Sequence, residues 1–512
     1  MSNKDFNQEF NKFQQIFWPI HNYELKKFLP MVLMIFFFLF NYTIMRDTKD
    51  TLVVTAAGAE VIPFLKLWGT LPVSILFVIV YSKLSNSLKA DTLFYTMVTP
   101  FLIFFVAFGF VIYPNLDLFR PDDFANGMQQ GIINNLPNGM HPTLLKLVEV
   151  IRVWPYAIFY IAAELWGSMG ISLLFWQFAN QTTRTFEARR FYSSYAQLGN
   201  LALIASGVTI VFLSDIRNSV PAGVDAWGVT LRYLSLSVGA GCIIIMGTYY
   251  WIQKNVLTDP RFYDPKDVKG SKKKGKKLGL KESFMYLVRS PYLGCICLMV
   301  IGYGMSINLI EVVWKSQLKL QFPNENDYST FMGKFSASTG VVTFITFTIG
   351  SNVIRRLGWK VASLLTPLMI LITGGLFFIF VVFKDFVESS NILPFSVLWG
   401  AVMLGAAQNV LSKATKYALF DPTKEMSYIP LDQESKIKGK AAIDVVGARL
   451  GKSGGGLVLQ FILMFGAIMD VVPILFIFVS IIVFAWIKAA LTLSTLYHQK
   501  LQEQESEEKK QS

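Results

Sequence analysis

Charge is scarce in this 512-residue chain. Only 16% of its residues are Asp, Glu, Lys or Arg, where a soluble domain carries about a quarter. Cysteine and histidine occur three times each. Cys242, Cys295 and Cys297 all lie in apolar stretches, which excludes a disulfide framework and gives no zinc spacing. His21, His141 and His498 lie outside those stretches and form no catalytic or metal-binding constellation. The first 25 residues mix polar and aromatic groups. They lack the compact apolar core and small-residue cleavage site of a signal peptide, so the first apolar helix is expected to stay in place.

Apolar sequence fills the space. Hydrophobic residues make up 53% of the chain, Phe alone occurs 44 times, and the mean hydropathy is +0.45. Such a chain has room for about a dozen membrane helices of about 20 residues each. Apolar runs fall at 28–45, 61–81, 93–113, 153–178, 191–213 and 231–252, then at 291–314, 331–353, 361–383, 393–411, 441–467 and 471–495. The expected fold is therefore an all-α integral membrane protein, with about twelve transmembrane helices in two six-helix bundles. The bundles occupy 1–256 and 285–498, followed by a polar tail, 499–512. Between the bundles, residues 261–281 carry nine Lys or Arg against two Asp. Helices flank this basic stretch, so it reads as part of a cytoplasmic linker, 257–284, and not as a nucleic-acid site.

The net charge of +13 fits that topology. Lys26 and Lys27, Lys83 and Lys89, Arg184 to Arg190, Arg355 to Lys360 and Lys436 to Lys440 all fall on one side, with both termini and the linker. The excess of basic residues marks that side as cytoplasmic. The segments FYSSYAQLGNLALIASG (191–207) and AIDVVGARLGKSGGGLV (442–458) share small residues at the same ordinal helix, as internal repeats of a secondary transporter do.

Ionisable side chains inside membrane spans are costly and by default mark function. This chain has many: Arg46, Asp47, Lys49, Asp50, Lys66, Glu164, Glu311, Lys315, Lys334, Lys413, Lys416, Asp444, Arg449 and Lys452. Arg46/Lys49, Lys413/Lys416 and Arg449/Lys452 are each spaced i,i+3, which puts each pair on one helix face. Like charges so placed repel, and a bound polyanion would reverse the sign of that term. Other readings stand beside this one. Lys66, Lys334 and Arg46 can snorkel to the headgroups. Glu311 and Lys315, at i,i+4, can simply neutralise each other. Glu164 has no local partner, which makes it the best single functional carboxylate.

GARLGKSGGG, residues 447–456, looks like a phosphate-binding loop but fails as one. A Walker A loop puts four residues between its first Gly and Gly-Lys-Ser, and it joins a strand to a helix. Here three residues intervene, and a long apolar run follows. The glycines instead allow close helix packing or close approach of a bulky ligand to bare backbone.

NYTIMRDTKDTLVVTAAGAEVIPFLKLW, AELWGSMGISLLFWQFAN and KYALFDPTKEMSYIPLDQESKIKGKAAIDVVGARLGKSGG resemble the ATP/ADP translocase family of chlamydiae, rickettsiae and plant plastids. The likeness runs from about residue 16 to about 495, and WPIHNYELKKFLP is most similar to chlamydial members. The resemblance implies a major-facilitator-like fold and exchange of ATP for ADP by alternating access, in a bacterial inner membrane with both termini cytoplasmic. Matched motif to motif, it implies functional roles for Lys49, Glu164, Glu311 and Lys452, and it links Asn200 to substrate preference.

On these grounds Lys49, Arg46, Arg449 and Lys452 are expected to hold phosphates, with Glu164 and Glu311 as substrate or coupling carboxylates. Tyr160, one turn from Glu164, is a candidate to stack a purine. Lys315, Lys334, Lys413, Lys416 and Asp444 complete the candidates. The expected partners are ATP and ADP, with phosphate and other nucleotides left open, and the lipid bilayer. No enzymatic activity, cofactor, metal or nucleic acid is expected, and a monomer is favoured. The alternatives are a proton-coupled nucleotide importer, using Glu164, Glu311 or Asp444, and a membrane ATPase built on the glycine-rich segment.

Overall fold

The computed structural model describes residues 20–137, 141–263, 290–389, 394–432, 439–440, 443, 447 and 450–511. Among them no strand forms and helices dominate. A lipid environment dictates this, because each backbone amide must find its partner within its own segment. The first seven spans are α1 (Asn22–Ala57), α2 (Ala59–Ser87), α3 (Ala90–Phe119), α4 (Trp154–Thr182), α5 (Arg190–Ser219), α6 (Ala226–Asn255) and α7 (Pro291–Gln321). One long helix, Glu325–Val382, breaks at Gly358, whose φ of 80° only glycine adopts without strain, into α8 (325–357) and α9 (359–382). Then come α10 (Val397–Thr415), α11 (450–465) and α12 (Ile468–Gln511).

Nine helices among the described residues are long and apolar enough to cross a membrane. The other three, α8, α10 and α11, trade apolar for small and polar residues, as in FSASTG, AAQNVLSKATK and GKSGGG. The first helix corrects an expectation. It runs to Ala57, not to residue 45, so MRDTKD lies deep inside it. The expected polar tail also continues α12 as helix through Gln511. The basic linker, apart from residues 261–263, lies outside the described residues.

Single π-helical turns interrupt α2 at Leu65–Thr70, α3 at Phe108–Ile112 and α4 at Gly167–Phe175, extend α10 at Lys416–Phe420, and open α11 at Leu450–Gly454. Such turns widen a helix locally and recur at functional sites. Here the turns in α2, α4, α10 and α11 contain or adjoin Lys66, Glu164, Lys413 and Lys452.

Two apolar cores build the halves. One contains only residues between Ile20 and Phe262. The other lies between Tyr292 and Tyr497, but also takes in Val53 to Leu65 and Val153 to Tyr160. The halves are thus fused at one end, where α1 and α5 finish and α8 begins. At that end Arg217 pairs with Asp327 at 2.6 Å, Ser214 meets Ser329 at 3.0 Å, and Thr230 donates to Asn326 at 2.8 Å. Below them α5 and α8 cross with no room for side chains: a Cβ on Gly333 would lie 2.8 Å from the Gly207 carbonyl oxygen. Two helices of the α3–α4 connection, Asp122–Asn135 and His141–Arg152, cover this face.

Candidate functional site

The charges of MRDTKD lie at the middle of the fold, and they do not stand alone. Lys49 Nζ donates to Asp50 Oδ1 at 2.9 Å and lies 3.1 Å from Glu164 Oε1 of α4. The other Asp50 oxygen accepts from Lys315 Nζ of α7 at 2.8 Å. Lys315 in turn lies 3.3 Å from Glu311 Oε1. The result is a continuous row, Glu164–Lys49–Asp50–Lys315–Glu311, alternating in sign and drawn from three helices. Its middle link joins the two halves.

Burial makes this row energetically consequential. Lys49 and Asp50 are each 2% exposed and Lys315 is 3%. Buried charges persist only when paired and hydrogen-bonded, and removing one partner of a buried pair costs about 3–5 kcal/mol. The end carboxylates are different: the Glu164 and Glu311 side chains keep 25% and 21% of their surface. The row is therefore closed at its middle and partly open at its two ends.

A second knot lies one turn away. Arg46 Nε donates to Asp47 Oδ1 at 2.9 Å, and its Nη2 donates to Ser336 Oγ of α8 at 2.7 Å. Ser336 also hydrogen-bonds the other Asp47 oxygen, which closes a second bridge between the halves. The sequence reading singled out Arg46 and Lys49 as a like-charged pair awaiting a polyanion. In the fold each already has an aspartate beside it in the chain.

The remaining candidates divide. Glu164, read as partnerless, pairs with Lys49. The Tyr160 ring is fully buried with the Lys49 ammonium 3.8 Å from its centre, so that face is taken by a cation. Lys413 and Lys416 do not act as a pair. The π-turn starting at residue 416 swings Lys416 to Asp421 at 2.7 Å, while Lys413 stands 4.8 Å over the Phe335 ring. Lys334 is exposed in an apolar lateral cavity of about 730 Å³ beside Phe331 and Trp399, apart from the charge row. Asn200 bonds back to Ala196 at 2.8 Å. Its neighbour Gly199 faces Leu39, about 15 Å along α1 from Lys49. Asp444 and Arg449 lie outside the described residues, as does the Lys452 side chain, whose backbone belongs to the π-turn of α11.

The glycine-rich segment is helical from residue 450 onward, where a phosphate loop would require an irregular turn. Its glycines serve different ends. A Cβ on Gly304 of α7 would lie 2.8 Å from the Gly451 Cα, and one on Gly455 would lie 3.4 Å from the Met305 Cα, so these allow α7 and α11 to touch. Gly454 faces open space.

Reasoning from sequence counted Asp47 and Asp50 among the intramembrane charges without giving them a role, and it passed over Asn308 and Ser336. The doublets Arg46-Asp47 and Lys49-Asp50 were the available signal for the two acids. Nothing local marks Ser336 or Asn308, since their roles arise only where helices from the two halves meet.

Two bundles of helices, joined at one face and holding a buried row of charges across their interface, define a secondary transporter of a charged solute. Comparison with known proteins agrees. The TLC ATP/ADP transporter family matches residues 3–497, and the chain belongs to this family of membrane transporters. It is 51% identical to ADP,ATP carrier protein 1 of Chlamydia pneumoniae, over 97% of this chain and 96% of that one. It is 46% identical to the chloroplastic ADP,ATP carrier protein 1 of Arabidopsis thaliana, over 94% and 76%. It is 42% identical to ADP,ATP carrier protein 1 of Rickettsia bellii, over 97% and 98%. Among solved structures, a bacterial homologue of the iron transporter ferroportin in an inward-facing state aligns with a TM-score of 0.55 at 12% identity, covering 94% of this chain and 99% of that one. A D-xylose-proton symporter aligns at 0.52 and 12%, covering 92% and 97%. The fold is major-facilitator-like.

Proposed function

We propose that the protein exchanges ATP for ADP across a bacterial inner membrane by alternating access, importing host ATP. The observation that carries this reading is the buried charge row between the halves, in a chain whose relatives across chlamydiae, rickettsiae and plastids are named ADP,ATP carriers. The basic loops around 83–89, 184–190 and 355–360 share a side with residues 20 and 263, which supports cytoplasmic termini and a state open to the cytoplasm. The division into bundles 1–256 and 285–498 about the linker 257–284, with a polar tail at 499–512, belongs to the same proposal. The two apolar cores support it.

Within this reading Lys49, Arg46, Arg449 and Lys452 bind phosphates, Glu164 and Glu311 are their exchangeable counter-ions, and Asn200 bears on substrate preference. Obligate exchange then has a physical cause. To turn its site outward, the empty carrier must break the buried Asp50–Lys315 pair with no ligand to replace it. A bound nucleotide offers phosphate oxygens to Lys49 and Lys315 and lets the halves part. The test is uptake of labelled ATP by proteoliposomes that are empty or loaded with ADP. Uptake confined to loaded vesicles supports exchange; equal uptake by empty vesicles contradicts it.

A further inference from the structure

The cations of the site differ in what an incoming anion must displace. Lys49 lies between two carboxylates, and so does Lys315. A phosphate can reach either only by displacing a carboxylate or by accepting repulsion from it. Two other lysines carry no such partner. Lys66 is half-buried and donates at 2.6 Å to the neutral amide oxygen of Asn308, on α7 of the opposite half. Lys413 is half-buried over the Phe335 ring. Among the described residues neither has a carboxylate within 4 Å. Among the described residues, the carboxylate that bears most on both is Glu311, one of the two accessible ends of the row.

The helix that carries Lys66 is distorted where the lysine stands: it is the second residue of the π-turn Leu65–Thr70. This turn and the residues just before it pack against α11 at its glycine-rich segment, where a Cβ on Gly456 would lie 3.7 Å from the Pro63 carbonyl oxygen. The Lys66 ammonium therefore stands at the seam of α2, α7 and α11, with one neutral and readily exchanged acceptor.

Resting on the nucleotide-exchange reading above, we propose that Lys66, held in place by Asn308, receives the terminal phosphate of the nucleotide, with Lys413 as its counterpart on the second half. A terminal phosphate carries between one and two negative charges near neutral pH, more than a bridging phosphate in the same chain. It goes where cations are least compensated, and taking Lys66 from Asn308 costs one neutral hydrogen bond, not an ion pair. Lys66 then distinguishes nucleotides by phosphate number, while Lys49 and Lys315 respond to occupancy.

The test is a binding series with AMP, ADP and ATP on purified full-length protein and on Lys66→Gln and Lys66→Arg. The expected result is an ATP affinity reduced about tenfold in Lys66→Gln, ADP reduced less, AMP unchanged, and ATP affinity largely restored in Lys66→Arg. Equal losses for all three nucleotides, or no loss for ATP, overturn the assignment. If Lys66→Gln does not fold, Asn308→Asp serves instead. It places a carboxylate on Lys66 and is expected to weaken ATP selectively; an unchanged ATP affinity there overturns the assignment too. Wild-type protein that binds no nucleotide defeats the exchange reading itself, whereas wild-type binding with an unaltered variant defeats only the role of Lys66.

Discussion

Asp50→Asn is the substitution that separates a gate from a mere structural ion pair. Asp50 accepts from Lys49 and Lys315 at 2.9 and 2.8 Å, and both of those hydrogen bonds are charge-assisted. A charge-assisted bond contributes about 1.5–3 kcal/mol and a neutral one about 0.5–1.5. The amide keeps the shape and one acceptor, so the link between the halves loses its charge assistance, about 1–1.5 kcal/mol, separately from the larger cost to overall stability of leaving Lys49 and Lys315 without their shared carboxylate. At 1.4 kcal/mol per factor of ten, the empty carrier should reorient about tenfold faster. The assay is multi-turnover efflux of labelled ADP from proteoliposomes into nucleotide-free buffer, which requires the empty carrier to return. Net efflux should rise about tenfold while exchange against external ATP persists. Lys315→Gln should behave alike, and the double variant should add little, because both changes remove one contact. Unchanged net efflux alongside reduced exchange would refute the gate and leave Asp50 a structural residue.

Other substitutions probe the framework. Gly333→Leu inserts a side chain where even a Cβ meets the Gly207 carbonyl. Overpacking of about 1–3 kcal/mol against the sealed face should hold it open, which labelling of a cysteine placed near residue 329 would report. Gly304→Ala should lower stability by a similar about 1–3 kcal/mol through its clash with Gly451, whereas Gly454→Ala should stay within about 0.5 kcal/mol; thermal unfolding compares them. Lys49→Gln leaves Asp50 with one cation and Glu164 without this one. It should weaken ATP binding and cost up to about 3–5 kcal/mol of stability, and full retention of both would remove Lys49 from the site.

Much of this was legible in the sequence, for identifiable reasons. Lipid leaves the backbone few options, so apolar runs alone were enough to expect an all-helical membrane fold. The cost of intramembrane charge pointed to Glu164, Glu311 and Lys315, and the family resemblance raised Lys49. What misled was the end of the first run. Apolarity stops at Met45, but the helix continues to Ala57 because Arg46 to Asp50 find partners on α4, α7 and α8. Hydropathy cannot register a polar stretch made comfortable by other helices. For the same reason snorkelling stood as an open reading of Lys66, while its neighbour Asn308 comes from 242 positions away. Lys413 and Lys416 part because the π-turn that begins at Lys416 brings Asp421, five residues on, to the Lys416 ammonium. The glycines of α11 were read correctly as serving packing or approach, and only their neighbours showed which glycine does which.

The central claim is that movement of the site across the membrane is tied to occupancy by nucleotide. The most direct measurement follows two labels at once in proteoliposomes, ATP entering and ADP leaving, with and without an imposed proton gradient. The account predicts that one ADP leaves for each ATP that enters, and that collapsing the proton gradient leaves this ratio unchanged. ATP accumulation without matching ADP release, abolished when the proton gradient collapses, would contradict it.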